Sequence, residues 1–280
     1  MNKIIACIDG ASYTQSVTDL SVWSATRLSV PLTFLHVLEK PTNSDSELSG
    51  NIGVGSRDQL MTELVELDEK RAKLALQHGK ALLHECEEVA LSNGVTDVTR
   101  LQQHGHLLES LLALESTMRV LVIGRSGDLH QNDAKAIGSQ LESVIRRIHN
   151  HILIATGDFT PPESYLLAFD GSEVSEKLVE KALNTPLLKD MTCHLVMVDN
   201  DKHSAAFDRA AERLTAQGVD VVQARLSGEP AQALLAHQAQ QNVGLITMGA
   251  YGHTKLRQLF VGSTTTRIVI DSPVPLLLIR

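Results

Sequence analysis

The sequence predicts an α/β protein of two tandem domains, each a five-stranded parallel sheet of order 3-2-1-4-5 with helices on both faces. Three observations carry this. The chain repeats itself: "KIIACIDGASYTQSV" from Lys3 returns as "YLLAFDGSEVSEKLV" from Tyr165. Short, continuous apolar runs alternate with helix-like segments, as expected for strands buried on both sides. Glycines recur at equivalent places after those runs.

The elements match one by one. In each half the first run ends in Asp-Gly, which sets Asp9 against Asp170. A polar, helix-starting segment follows. The second run is "PLTFLHVLEK" in the first half and "TCHLVMVDN" in the second, and Val37 and Val198 stand equally far from their aspartates. "VTRLQQHGH" pairs with "VQARLSGEP", aligning Gly105 with Gly228. "RVLVIGRSG" pairs with "VGLITMGAYG", aligning Gly124 with Gly249. "GSQLESVIRRIHNHILIAT" pairs with "GSTTTRIVIDSPVPLLLIR", aligning Gly138 with Gly262 and giving final strands at Ile152–Ala155 and Pro275–Ile279. "TGDFTPPESY", from Thr156, has the paired prolines and polar residues of a linker. The domains are therefore expected at residues 1–156 and 161–280.

The first half carries an insertion over about residues 40–92. It opens with the polar "PTNSDSELSGNIGVGS" and continues as a long helix from about Arg57 to about Leu91. Leu60, Leu64, Leu67, Leu74 and Leu82 suggest an apolar stripe among charges. Such a stripe either packs on its own domain or meets a partner or the other domain.

Composition narrows the function. The chain has 280 residues and a formal net charge of −8, which argues against a general nucleic-acid binder. No apolar run approaches the ~18 residues of a membrane helix. The start, "MNKIIACIDG", reads as a strand rather than a signal peptide. Cys7, Cys86 and Cys193 have no disulfide or zinc spacing and read as buried thiols of a reducing compartment. A cytoplasmic protein is expected, with no nucleic-acid or membrane partner and no metal site.

In an open parallel sheet, ligands bind beyond the carboxyl ends of the strands where strand order reverses. Asp170 ends strand one of the second half, and Met248-Gly249 ends strand four, so both face that crevice. Gly249 and Gly252 allow positive φ and leave room for a ligand against the backbone. Gly262-Ser263-Thr264 opens the last helix, whose free N–H groups and dipole suit a phosphate. Lys255 and Arg257 add positive charge to the loop between. Each part also has a plainer reading: Ser263 as a helix cap, Asp170 as the holder of a turn.

At these residues the chain resembles the universal stress protein family. Gly249-x2-Gly252-x9-Gly262-Ser263-Thr264 fits the family's nucleotide-binding motif, and the long insertion resembles the E-type tandem members. The resemblance implies a flavodoxin-like, HUP-type fold in each half. It implies a cofactor, ATP or another adenine nucleotide with or without Mg²⁺, with adenosine against Asp170 and Val198. The phosphates then lie on Gly249, Gly252, Gly262, Ser263 and Thr264. It further implies pairing through strand five, here between the two halves of one chain, with homodimerisation left open.

The first half departs from the motif. Its counterpart residues are Asp9, Val37, Gly124, Gly127, Gly138 and Ser139, but its glycine loop is one residue longer and Gln140 replaces the second hydroxyl. Asp128, Asp133 and Glu142 bring carboxylates where phosphate would lie. That crevice is expected to be weakened, empty or used for another ligand. Neither half shows a Walker motif or a residue placed to orient water, so no catalytic residue is assigned and hydrolysis is expected to be slow at most. The other function class left open is a structural or interaction protein with vestigial crevices.

Overall fold

The computed structural model describes residues 2–39, 54–125, 139–199, 201–249 and 262–280. The first half runs β1 (Lys3–Cys7), α1 (Thr14–Leu28), β2 (Leu32–Leu38), α2 (Val54–Ser92), β3 (Val98–His104), α3 (Leu107–Leu114), β4 (Met118–Gly124), α4 (Ser139–Arg147) and β5 (His151–Ala155). The second repeats the plan as β6 (Ser164–Ala168), α5 (Glu173–Asn184), β7 (Thr192–Val198), α6 (Ser204–Ala216), β8 (Val221–Leu226), α7 (Pro230–Gln241), β9 (Leu245–Gly249), α8 (Ser263–Asp271) and β10 (Leu276–Ile279).

The ten strands among the described residues form one sheet, ordered β3-β2-β1-β4-β5-β10-β9-β6-β7-β8. Each half has the expected 3-2-1-4-5 order and parallel pairing. The halves meet where β5 and β10 pair antiparallel, with Ile152 opposite Leu278, Leu153 opposite Leu277 and Ile154 opposite Leu276. An open sheet edge of unpaired N–H and C=O groups is a liability. This join removes one such edge from each half and buries those six apolar side chains.

The core lies on both faces of the continuous sheet. One face packs under α1, α2, α5 and α6, through residues such as Val17, Leu83, Leu178 and Phe207. The other packs under α3, α4, α7 and α8, through Leu111, Ile145, Leu234 and Ile268. Buried hydroxyls on α1 bond back to the helix: Ser24 Oγ donates to Leu20 O at 2.6 Å and Thr18 Oγ1 to Thr14 O at 2.8 Å. The stretch between β5 and β6 is not a loose linker. Phe159 meets the Trp23 ring with centroids 5.8 Å apart.

The long helix departs from the expected stripe. It is anchored by Leu83, Cys86 and Ala90, with Leu82 packed beside them. Leu64, Leu67 and Leu74 are exposed, and residues 62–75 are exposed all round. The reason is length. A 39-residue helix is ~58 Å long, whereas the seven-residue strands beneath it reach only ~23 Å. The side chain of Leu60 and residues 40–53 lie outside the described residues.

Candidate functional site

The carboxyl ends of β6, β7 and β9 and the starts of α5, α7 and α8 enclose a cavity of ≈ 330 Å³ in the second half. Asp170, Val198, Met248, Gly249, Gly262, Ser263 and Thr264, all expected from the sequence, line it together. Gly252, Lys255 and Arg257 lie outside the described residues. The cavity is at the lower end of the ~300–1,000 Å³ usual for small-molecule sites.

Backbone geometry explains each position. β6 ends at the Asp170-Gly171 corner, where Gly171 takes φ +77°. The Asp170 carboxylate accepts the Ser172 N–H at 3.0 Å, so it holds the turn as well as lining the cavity. Ser172 then caps α5, accepting the Ser175 N–H at 3.1 Å. At the far wall, α8 is capped by Gly262, whose carbonyl accepts the Thr266 N–H at 2.9 Å. Ser263 is therefore the first helical residue and not the cap. The N–H groups ahead of Thr266 have no partner within the helix and point, with the positive dipole end, towards the cavity.

One glycine acts differently from expectation. Gly249 does not take positive φ. What it provides is close approach, since a Cβ there would stand 2.8 Å from Val174 Cγ1. Gly262 also has negative φ, −58°. Among the described residues, a Cβ on it would meet only Thr265 Oγ1, at 3.9 Å. Gly262 lines the cavity at this point.

The apolar lining was not anticipated. Phe169, Val174, Leu178, Pro230 and Leu234 form walls around the polar corner. The only sequence signal was their spacing. Val174 and Leu178 share one helix face, as do Pro230 and Leu234. Chemically the site offers an apolar slot, a carboxylate at one end and helix N–H donors at the other. That suits a flat ring carrying a sugar and an anion.

The first half keeps the corner but not the surroundings. Asp9 accepts the Ala11 N–H at 2.9 Å, and Gly10 takes φ +80°. Val37 and Gly124 are half-buried at the ends of β2 and β4. Gly127, Gly138, Asp128 and Asp133 lie outside the described residues, as does the side chain of Ser139. Glu142 is not a bare charge in the first turn of α4, because Arg146 donates to it at 2.5 Å. The repulsion expected from it is thus offset. Helix α2 presses closely on this half. A Cβ on Gly79 would collide with Gln102 and His36, and one on Gly10 would stand 2.9 Å from Leu82.

Burial shifts several titratable groups towards their neutral forms. Burial, with Asp9 beside it, pushes the Cys7 thiol up to about 12. Cys193 also rises to about 12, through burial. His194 and His237 share a contact at 3.2 Å, and burial holds both below the ordinary imidazole range. All three cysteines are free. Among the described residues, no helix is long and apolar enough to cross a membrane, and no three metal-ligating side chains cluster.

Residues 1–155 and 195–280 match the universal stress protein family model. Over 287 residues the chain is 29% identical to the universal stress protein Slr1230 of Synechocystis, with 100% of both chains covered. A universal stress protein from Archaeoglobus fulgidus superposes with a TM-score of 0.71 at 20% identity, covering 100% of this chain and 98% of that one. A functionally unknown protein from Pseudomonas aeruginosa gives 0.64 at 14% identity, covering 100% and 92%. At these identities the solved structures speak for the fold alone.

Proposed function

Since the chain belongs to the universal stress protein family, we propose that it binds an adenine nucleotide in its second half and serves as a stress-response or signalling module of the cytoplasm. The domains are residues 1–156 and 161–280, and the nucleotide is ATP, ADP or AMP, with or without Mg²⁺. One observation carries the reading. The described motif residues, brought from four separate segments of the second half, line a single cavity.

The residues fit the ligand. Adenine takes the slot between Val198, Met248 and the apolar wall, and Asp170 accepts from the ribose. The phosphates take the space at Gly262 and the N–H groups of Ser263 and Thr264. Hydrolysis is slow at most. Mass spectrometry of freshly purified, denatured protein tests the reading, with copurified adenine nucleotide as the expected result. If calorimetry with ATP, ADP and AMP also shows no binding, the reading fails.

A second reading has its own observation. The exposed Leu64, Leu67 and Leu74 on α2 favour a protein that works by contact. Under that reading the cavity is vestigial, and nucleotide is absent from every preparation.

A further inference from the structure

The residue after β4 in the first half is Arg125, and most of its hydrogen bonds reach outside its own loop. Its N–H donates to Ala155 O at 3.0 Å, which ties it to the end of β5. Its Nη1 donates to two carbonyls of the second half, Ile270 O and Ser272 O, both at 2.9 Å. Its Nη2 donates to the Tyr13 hydroxyl at 3.0 Å, and the guanidinium lies 5.7 Å from the centre of the Tyr13 ring. Ile270 is in the last turn of α8 and Ser272 is its C-cap. Carbonyls at a helix end lack partners within the helix, and a cation there also complements the dipole.

The register of the two halves gives this contact meaning. Setting Asp9 on Asp170 sets Tyr13 on Val174, and setting Gly124 on Gly249 sets Arg125 on Ala250. In the second half Val174 touches Gly249 and walls the cavity. In the first half the same place holds the Tyr13–Arg125 stack, with the guanidinium committed to α8. Alanine has no side-chain donor, so Ala250 carries no equivalent of the guanidinium. Among the described residues, this link runs from the first half to α8.

Helix α8 is nine residues long, ~13 Å, and too short to be stable alone. One end is held by Arg125. The other end, Gly262 to Thr265, lines the cavity. We infer that Arg125 is a positioning residue through which the first half sets how tightly the second-half pocket holds phosphate. This rests on the adenine-nucleotide reading for its ligand. By linkage the coupling is reciprocal, so bound phosphates also strengthen the hold of Arg125 on α8.

The test compares wild type, Arg125→Gln and Arg125→Lys as full chains. Two measurements are made: calorimetric affinity for ATP and for adenosine, and hydrogen exchange of the Thr266–Val269 amides without ligand. Arg125→Gln should weaken ATP by about 5–10-fold, the scale of losing charge-assisted bonds at a helix end. Adenosine, which does not use α8, should bind as before. Exchange in α8 should quicken several-fold while that in α7 stays unchanged. Arg125→Lys, which keeps a cation, should fall between. A folded Arg125→Gln protein with unaltered ATP affinity and unaltered α8 exchange overturns the inference. So does an equal loss for ATP and adenosine, which marks general damage. If wild type binds neither ligand, the nucleotide reading fails. Exchange then decides alone: quickening confined to α8 supports the hold of Arg125 on that helix, and its absence refutes it.

Discussion

The two crevices share a backbone and differ in what stands at the end of the fourth strand. In the second half Gly249 leaves room for Val174, and a cavity opens beside them. In the first, Gly124 is followed by an arginine whose guanidinium lies on Tyr13 and reaches across to α8. The Asp-Gly corners are nearly the same, at φ +80° and +77°. A duplicated fold can therefore keep its turns and still give its halves different work. One copy keeps space, and the other fills the matching place with a contact between domains.

The largest effect expected from breaking this contrast is at Gly262. Among the described residues, a Cβ there meets no atom closer than Thr265 Oγ1, at 3.9 Å, so the fold should survive an aspartate. Its charge would occupy the phosphate position. Gly262→Asp should abolish the thermal shift given by ATP, while Gly138→Asp should leave it in place. The reverse pattern in two folded variants would exchange the roles of the halves.

Gly249→Ala should have a smaller effect, about tenfold on ATP affinity, because Val174 must move towards the ligand to clear the new methyl. Adding Val174→Ala should restore most of the loss. If the double variant binds no better than the single one, the glycine serves some other purpose.

The seam between the halves predicts a pH dependence. Burial, then Lys181 and Arg119, lower the His151 imidazole to about 4. Its Nδ1 accepts the Arg280 N–H at 3.2 Å and so carries no proton. Unfolded, the ring takes up a proton near its ordinary value of 6.5. Stability from this group is full above that pH and is lost as pH falls from 6.5 towards 4. The loss is about 1–3 kcal/mol, after allowance for partial exposure. His151→Gln should flatten that part of the curve, measured by denaturant unfolding at several pH values. The buried pair His194 and His237 slopes the same way and should remain. An unchanged profile in the variant would remove His151 from the account.

The smallest effect is expected on α2, the element without a long counterpart in the second half. Replacing Leu64, Leu67 and Leu74 with lysine should change stability by no more than about 0.5 kcal/mol per site, because all three are exposed. A marked loss, or a shift in elution volume, would show that something covers this face in solution.

Much of the fold was legible because duplication checks itself. Asp9 against Asp170 and Gly124 against Gly249 placed the strands, and the join of the halves through strand five came from the family resemblance. The polar and glycine part of the cavity was legible for the same reason. Its apolar walls were not, since Val174 and Pro230 look like any helix-start residues until the helices are placed. Arg125 was invisible for a deeper reason. Its partners in the second half are backbone carbonyls, which leave no trace in side-chain identity. The stripe on α2 showed the limit of periodicity, which says which side of a helix is apolar but not how far along the helix a neighbour extends.

The join of β5 to β10 also sets an order of events during synthesis. The first half can complete its own five strands once His151–Ala155 has emerged. The strand that covers this edge, Leu276–Ile279, comes about 120 residues later. At ~5–20 residues per second, the apolar edge "HILIA" waits on the order of ten seconds with its backbone unpaired. In that interval a neighbouring nascent chain of the same kind offers the same edge. The nascent protein is thus most exposed to mispairing and chaperone capture after its first half has folded, and the arrival of β10 ends that exposure.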